Sequence, residues 1–120
     1  MWLKQCQFSI ECWYCFMDLQ LFGEDIGRFL QSLDITTRAK TDVLLDALSA
    51  HGSKLRMPYS KALGGGLFEL RVQSVVQARI FYSFHRNRAI LLHAFVKKSM
   101  RIAEKELFVA RARQRLIDGV

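Results

Sequence analysis

One proline and seven glycines in 120 residues leave little material for linkers, low-complexity tracts or a proline-rich arm. Long hydrophobic runs are missing too. Lys4, Glu11 and Asp18 interrupt the aromatic, apolar stretch from Met1 to Phe22, so it offers neither the ~18 unbroken residues of a membrane helix nor a clean secretory core. No internal repeat is visible. Gly64-Gly65-Gly66 is followed by neither a helix nor Lys-Ser/Thr, which excludes a P-loop or a dinucleotide-binding turn. Acids are scarce after residue 53, where only Glu69, Glu104, Glu106 and Asp118 occur. That scarcity leaves no paired-carboxylate arrangement and argues against a Mg²⁺-dependent nuclease. Cysteine is confined to Cys6, Cys12 and Cys15, and an odd count without a secretory signal predicts reduced thiols in a cytoplasmic protein.

What is present is a basic second half. Residues 1–53 hold four Lys/Arg against seven Asp/Glu, and residues 54–120 hold fourteen against four. The second half thus carries a net charge of +10 on a chain whose total is +7. Concentrated positive charge suits a polyanion, because each neutralised phosphate releases counterions. It equally suits an acidic protein partner or a solvated surface. Hydrophobic residues at 51% and charged ones at 24% give an ordinary globular balance, and the length predicts a single domain over 1–120.

Periodicity predicts the elements. Gln5–Trp13 reads as a strand through Phe8, Ile10 and Trp13. Ile26, Phe29, Leu30 and Leu33 fall at i, i+3, i+4, i+7 and predict a helix over Asp25–Leu33. A second helix is expected over Thr37–Ala50, with Ala39, Val43, Ala47 and Leu48 on one side and Gly52 as the left-handed residue past its end. The two are expected to pack as an antiparallel pair. Ser53–Leu63 is basic and irregular and contains Pro58. Leu67–Gln73, Gln77–Phe84 and Ala89–Lys97 are β-runs with links short enough for an antiparallel meander. Glu104–Ile117 closes as a helix with Glu104 and Glu106 first and Arg111, Arg113 and Arg115 last, as the helix dipole favours. The expected architecture is α+β: an antiparallel sheet of three to four strands, two N-terminal helices and a C-terminal helix, with one sheet face covered and the other open.

Alternation along the strands selects the candidate site. If Phe68/Leu70, Ile80/Tyr82 and Ile90/Leu92 meet the helices, then Glu69, Arg71, Arg79, His93 and Lys97 gather on the other face, with cross-strand neighbours ~5 Å apart. Three cations around one glutamate form either a phosphate clamp or a salt-bridge network. Lys97-Lys98 at a strand end is either a rigidly held functional pair or a solvated one. Cys12-Trp-Tyr-Cys15 has the spacing of a dithiol or a zinc half-site, but no second C-x-x-C or H-x₃-H accompanies it, and apolar packing is the better reading. His51 is expected at a helix end and His85 in a turn.

The blocks Lys61-Ala-Leu-Gly-Gly-Gly-Leu-Phe-Glu69-Leu-Arg71, Ala78-Arg79-Ile80-Phe81-Tyr82 and Ile90-Leu-Leu-His93-Ala-Phe95-Val-Lys97-Lys98, with the final Ala110-Arg-Ala-Arg113, resemble the phage-derived Gp49-like branch of the RelE/HigB/ParE toxin superfamily. The resemblance covers Lys54–Arg113, about half the chain, and leaves residues 1–22 as an atypical N-terminal segment. It implies a RelE-like fold and a toxin that cuts mRNA, usually on the ribosome, by driving the ribose 2′-OH onto the adjacent phosphate. No metal or cofactor is implied, so positioned cations must stabilise the phosphorane. Arg71 then matches the arginine on the scissile phosphate, and Lys97 and Lys98 match the second phosphate-stabilising or acid position. Lys61 is implied as catalytic, and Lys54 and Arg56 in the same basic loop as RNA-binding. Glu69 and Arg79 organise the pocket, and His93 is a candidate proton carrier. Glu106-Leu107-Phe108 lacks the tyrosine acid of some relatives, so no proton donor is assigned.

The same resemblance implies an antitoxin partner, expected to be of helix-turn-helix type, in a toxin–antitoxin hetero-oligomer, with mRNA on the ribosome as substrate and no membrane association. The nearest alternative is a ParE-like, non-enzymatic inhibitor of DNA gyrase. A DNA-binding module fits less well, because no helix-turn-helix is visible. Cys12→Ser and Cys15→Ser are expected to keep full toxicity in an induced-growth assay; loss of toxicity by a folded variant would restore a thiol role.

Overall fold

The computed structural model describes residues 17–101 and 104–118. In chain order these form β1 (Asp18–Leu21), α1 (Glu24–Ser32), α2 (Ile35–His51), a 3₁₀ turn (Gly52–Lys54), β2 (Ser60–Gly64), β3 (Leu67–Gln73), β4 (Gln77–His85), β5 (Arg88–Val96) and α3 (Glu104–Asp118). The fold is α+β, as expected, but its sheet has five strands rather than three or four, in the order β1-β5-β4-β3-β2. The strand expected at Gln5–Trp13 lies outside the described residues. β1 pairs with β5 in parallel, from Asp18↔Arg88 to Leu21↔Leu91. β2 comes from the stretch read as irregular. It is a short edge strand with only Ser60 buried, so it shows no alternation, and its place is set by backbone pairing with β3 and a register shift at Ala62/Gly64. β3, β4 and β5 form the expected meander.

Local chemistry explains the joints. Asp34 caps α2 by accepting from the Thr37 amide at 2.9 Å, and the Thr37 side chain, followed by this amide, holds its carboxyl below the usual range. Gly52 ends α2 at φ +56°, where a side chain is strained. The β4–β5 hairpin turns on Arg86 and Asn87, both at positive φ, the signature of a two-residue type I′ turn.

Helices cover both faces, not one. α1 and α2 pack Ile26, Leu30, Leu45 and Leu48 onto Leu70, Ile80, Tyr82, Ala89 and Leu91. The buried line of α2 runs through Thr37, Thr41, Leu45 and Leu48, leaving the expected core residue Val43 66% exposed. Thr41 is tolerated inside because its hydroxyl donates to the Thr37 carbonyl at 2.8 Å. On the other face α3 packs Ala110 against Leu67, Phe81, Ile90, Leu92 and Phe95. Ile90 and Leu92 therefore face α3 rather than the N-terminal pair. The reason is a bulge: Phe81 opposes His93 while the next residue, Tyr82, opposes Leu91, so strict alternation fails along β5.

Tyr82, 1% exposed, stacks on Phe68 with ring centroids 5.5 Å apart, and its hydroxyl pairs with Ser60 Oγ at 2.5 Å, tying β4 to the edge strand. Burial raises its ionisation above the ordinary tyrosine value, with the Ser60 bond opposing. A raised folded value means stability is fully present below the ordinary tyrosine pKa and is lost as pH rises beyond it. Tyr82→Phe is expected to cost about 1–2 kcal/mol at neutral pH, because Ser60 keeps a buried hydroxyl without its partner. In urea titrations between about pH 9 and pH 11 the variant should also lose stability less steeply than wild type; parallel pH profiles would refute the assignment.

Candidate functional site

The face that α3 covers is left open at one end, where β3 finishes, β4 begins and β5 finishes. A cleft of about 550 Å³ lies there, lined by Arg71, Gln77, Arg79 and the segment Lys97–Met100. Its floor follows from strand register: Arg71 and Arg79 are cross-strand partners, and Glu69 lies two residues back along β3 on the same face. The Lys97 amide donates to the Gln77 carbonyl at 2.7 Å, which fixes the end of β5 beside the start of β4. Lys98 beyond it is exposed.

Glu69 is 1% exposed and stands 3.7 Å from Arg79 Nε and 3.9 Å from Arg71 Nη1. These are ion-pair distances, longer than hydrogen bonds. Glu69 Oε2, Arg71 Nε and Arg79 Nε are all buried without a hydrogen-bond partner. The rest of the Arg79 guanidinium is held by the Ala78 carbonyl at 2.9 Å and, more weakly, the Val72 carbonyl at 3.5 Å. Burial lowers its pKa below the usual arginine value, Glu69 opposes that, and the charge of Arg71 adds to it. Arg79 is thus a fixed, partly desolvated cation. Arg71 keeps 21% of its side chain exposed, and Glu69 is its one ion-pair contact among the described residues. With Lys97 and Lys98 the cleft is lined by four basic groups, an arrangement that favours an anion.

The residues singled out in the sequence divide into four groups. Glu69, Arg71, Arg79, Lys97 and Lys98 come together. Lys61 sits opposite Glu69 on the edge strand, exposed, and Arg56 is exposed in the turn leading to β2. Lys54 is elsewhere, in a hollow with Met17 and Asn87 of the β4–β5 turn, at the opposite end of the strands. His93 does not enter the cleft: its Nε2 meets Glu106 of α3 at 2.5 Å, and its ring stacks on Phe95. Strand alternation placed it on the correct face but gave no warning that a helix would cover it there.

Sequence reasoning missed a neighbour of Arg71. The Arg71 amide donates to the Tyr59 carbonyl at 2.8 Å, and Tyr59 is 51% exposed. Reading Ser53–Leu63 as irregular concealed this adjacency. An aromatic residue in a basic loop was the available signal.

Removing the Glu69 charge tests whether the carboxylate is what balances the cleft. Glu69→Gln is expected to lose about 3 kcal/mol in urea unfolding, the lower end for a broken buried pair because Arg71 is partly exposed. Inorganic phosphate should restore part of it. An unchanged stability would show that the guanidiniums do not depend on this carboxylate.

No helix among the described residues is long and apolar enough to cross a membrane. No curated protein matches the chain. Residues 28–115, from α1 into α3 and including every residue named in the cleft, match the phage-derived Gp49-like proteins (DUF891). That family suggests the toxin half of a toxin–antitoxin pair, for which an antitoxin is the plausible partner. The chain therefore belongs to the Gp49-like family.

Proposed function

We propose that this protein is a metal-independent endoribonuclease that cuts mRNA on the ribosome and is held in check by an antitoxin. The observation that carries this reading is the Glu69–Arg71–Arg79 cluster, buried, short of hydrogen bonds and open to a cleft that also holds Lys97 and Lys98. The one carboxylate lining this cluster is engaged by two guanidiniums, so the cleft's free chemistry is cationic. Cations of this kind suit attack of a ribose 2′-oxygen on the neighbouring phosphorus, the 2′-hydroxyl giving up its proton to solvent. The P–O5′ bond breaks, leaving a 2′,3′-cyclic phosphate on one fragment and a 5′-hydroxyl on the other.

Arg71 grips the scissile phosphate, since it lines the cleft and keeps 21% of its side chain exposed. Arg79 and Glu69 hold Arg71 in place and keep the local potential positive. Lys97 and Lys98 face the same space and stabilise the extra charge of the phosphorane, a role that acts only in the transition state. Either ammonium can also hand a proton to the leaving 5′-oxygen. Lys61 and Arg56 on the outer edge, and Lys54 farther off, contact flanking phosphates. Such contacts add affinity and salt dependence without reading sequence.

The test is induction of the chain in bacteria, with growth, transcript integrity and cut termini measured beside Arg71→Ala and Lys98→Ala. Growth arrest with transcripts cut inside coding regions, cyclic-phosphate ends and neither effect in a folded Arg71→Ala variant is expected. A drop in cleavage of about 10²–10³-fold is the scale for losing one transition-state contact of this kind. Arrest with intact transcripts would overturn the nuclease reading. Ends bearing 3′-hydroxyl and 5′-phosphate would overturn 2′-OH attack.

A further inference from the structure

Arg71 lines a second hollow, on the other side of its side chain from the cationic cleft. This groove of about 380 Å³ lies between α2, through Lys40, Val43 and Leu44, and the loop residues Pro58 and Tyr59, and Lys40 Nζ donates to the carbonyl of Gln73, which also lines it, at 3.4 Å. Its walls are largely apolar, and Val43 and Tyr59 are 66% and 51% exposed. It exists because β2 begins only at Ser60, opposite Leu70, so the last residues of β3 have no strand outside them. Its volume falls within the range of about 300–1,000 Å³ typical of small-ligand sites.

Resting on the ribonuclease reading, we infer that this groove receives a nucleobase of the RNA whose phosphate Arg71 holds. The geometry fits a nucleotide: an aromatic ring and aliphatic walls suit the face of a base, and the Gln73 amide suits its polar edge. Arg71, the phosphate ligand, lines both hollows. The Tyr59–Arg71 backbone bond fixes the spacing between the stacking residue and the phosphate ligand. The charge is complementary as well: a nucleotide brings an anion to Arg71 and Lys40 and an uncharged plane to the apolar walls, whereas an aliphatic ligand would leave both cations unanswered. Tyr59 is thereby a base-binding residue that decides which nucleotide is presented for cutting.

The experiment maps cut sites and rates on a defined message translated by purified ribosomes, using the full chain as wild type, Tyr59→Ala, Tyr59→Phe and Arg71→Ala. Tyr59 is half exposed, so its variants keep the core, and far-ultraviolet circular dichroism checks this. Tyr59→Ala is expected to cut about tenfold more slowly, in the range a stacked base contributes, and to lose base preference at the cut. Tyr59→Phe, which retains the ring, should restore both. Unchanged rate and sites in Tyr59→Ala, with Arg71→Ala inactive, would overturn the base site and leave the nuclease standing. Unchanged cutting by Tyr59→Ala together with escape from antitoxin would likewise overturn it, assigning the groove to a protein segment. Intact message with wild type and Arg71→Ala alike would overturn the nuclease reading itself and this inference with it.

Discussion

A carboxylate that is 1% exposed has to be neutralised where it stands, and Glu69 places that condition at the centre of the sheet. Arg79 meets it from the next strand and is almost as buried, at 3%. Two guanidiniums beside one carboxylate leave an excess of positive charge, and Arg71, on the side nearer the open end, carries it towards solvent. The distances of 3.7 and 3.9 Å matter here. A tightly bonded triad would be a closed structural feature, whereas this loose one leaves Glu69 Oε2, Arg71 Nε and Arg79 Nε buried without hydrogen-bond partners. On the proposed reading, stability and ligand affinity draw on the same groups, a common arrangement where a functional site stores unsatisfied polarity.

The cleft stays open because of how α3 is held. Arg111 donates to the Gly64 carbonyl at 2.9 Å and Gln114 Nε2 to the Gly65 carbonyl at 2.8 Å, fastening the far half of the helix to the β2–β3 turn. That turn is Gly64-Gly65-Gly66 with all three residues at positive φ, and a Cβ on Gly65 would come within 3.0 Å of Arg111. Arg113 donates to the Leu92 carbonyl at 2.8 Å and pairs with Asp25 at 3.1 Å. Nearer its start, Glu106 catches His93. The helix is thereby fixed over the middle and turn end of the sheet, and the ends of β3 and β5 with the start of β4 lie beyond it. The glycines that bind no phosphate loop serve the site indirectly.

Much of this was legible in the residues because strand alternation and cross-strand proximity are strong local rules. Glu69, Arg71 and Arg79 were grouped correctly from period alone, and Lys97-Lys98 from its position at a strand end. The α1 stripe was equally clear. Failures came where a residue's place depends on something distant. β2 carries no pattern of its own, since an edge strand mostly facing solvent needs none. The bulge in β5 moved Leu91 into the core under α1 and α2 and sent Ile90 and Leu92 to α3. α2 buries two threonines, which a search for apolar stripes passes over in favour of Ala39 and Val43. His93 and Glu106 lie thirteen residues apart, and nothing in either segment announces the pairing.

Arg71 is where these lines of argument meet, and its chemistry explains why an arginine suits the position. An ammonium presents one point charge and could answer Glu69 or a phosphate, but not face two hollows at once. A guanidinium is planar, with donors on its edges and an apolar face. Arg71 lines both the cationic cleft and the apolar groove, and on the proposed reading its edges would serve the ion pair and a phosphate. Phosphate contacts alone carry no sequence information, and stacking alone gives little purchase on the backbone. One side chain lining both hollows would couple them, so that on the proposed reading a nucleotide seated in the groove sets which phosphate lies against the cations.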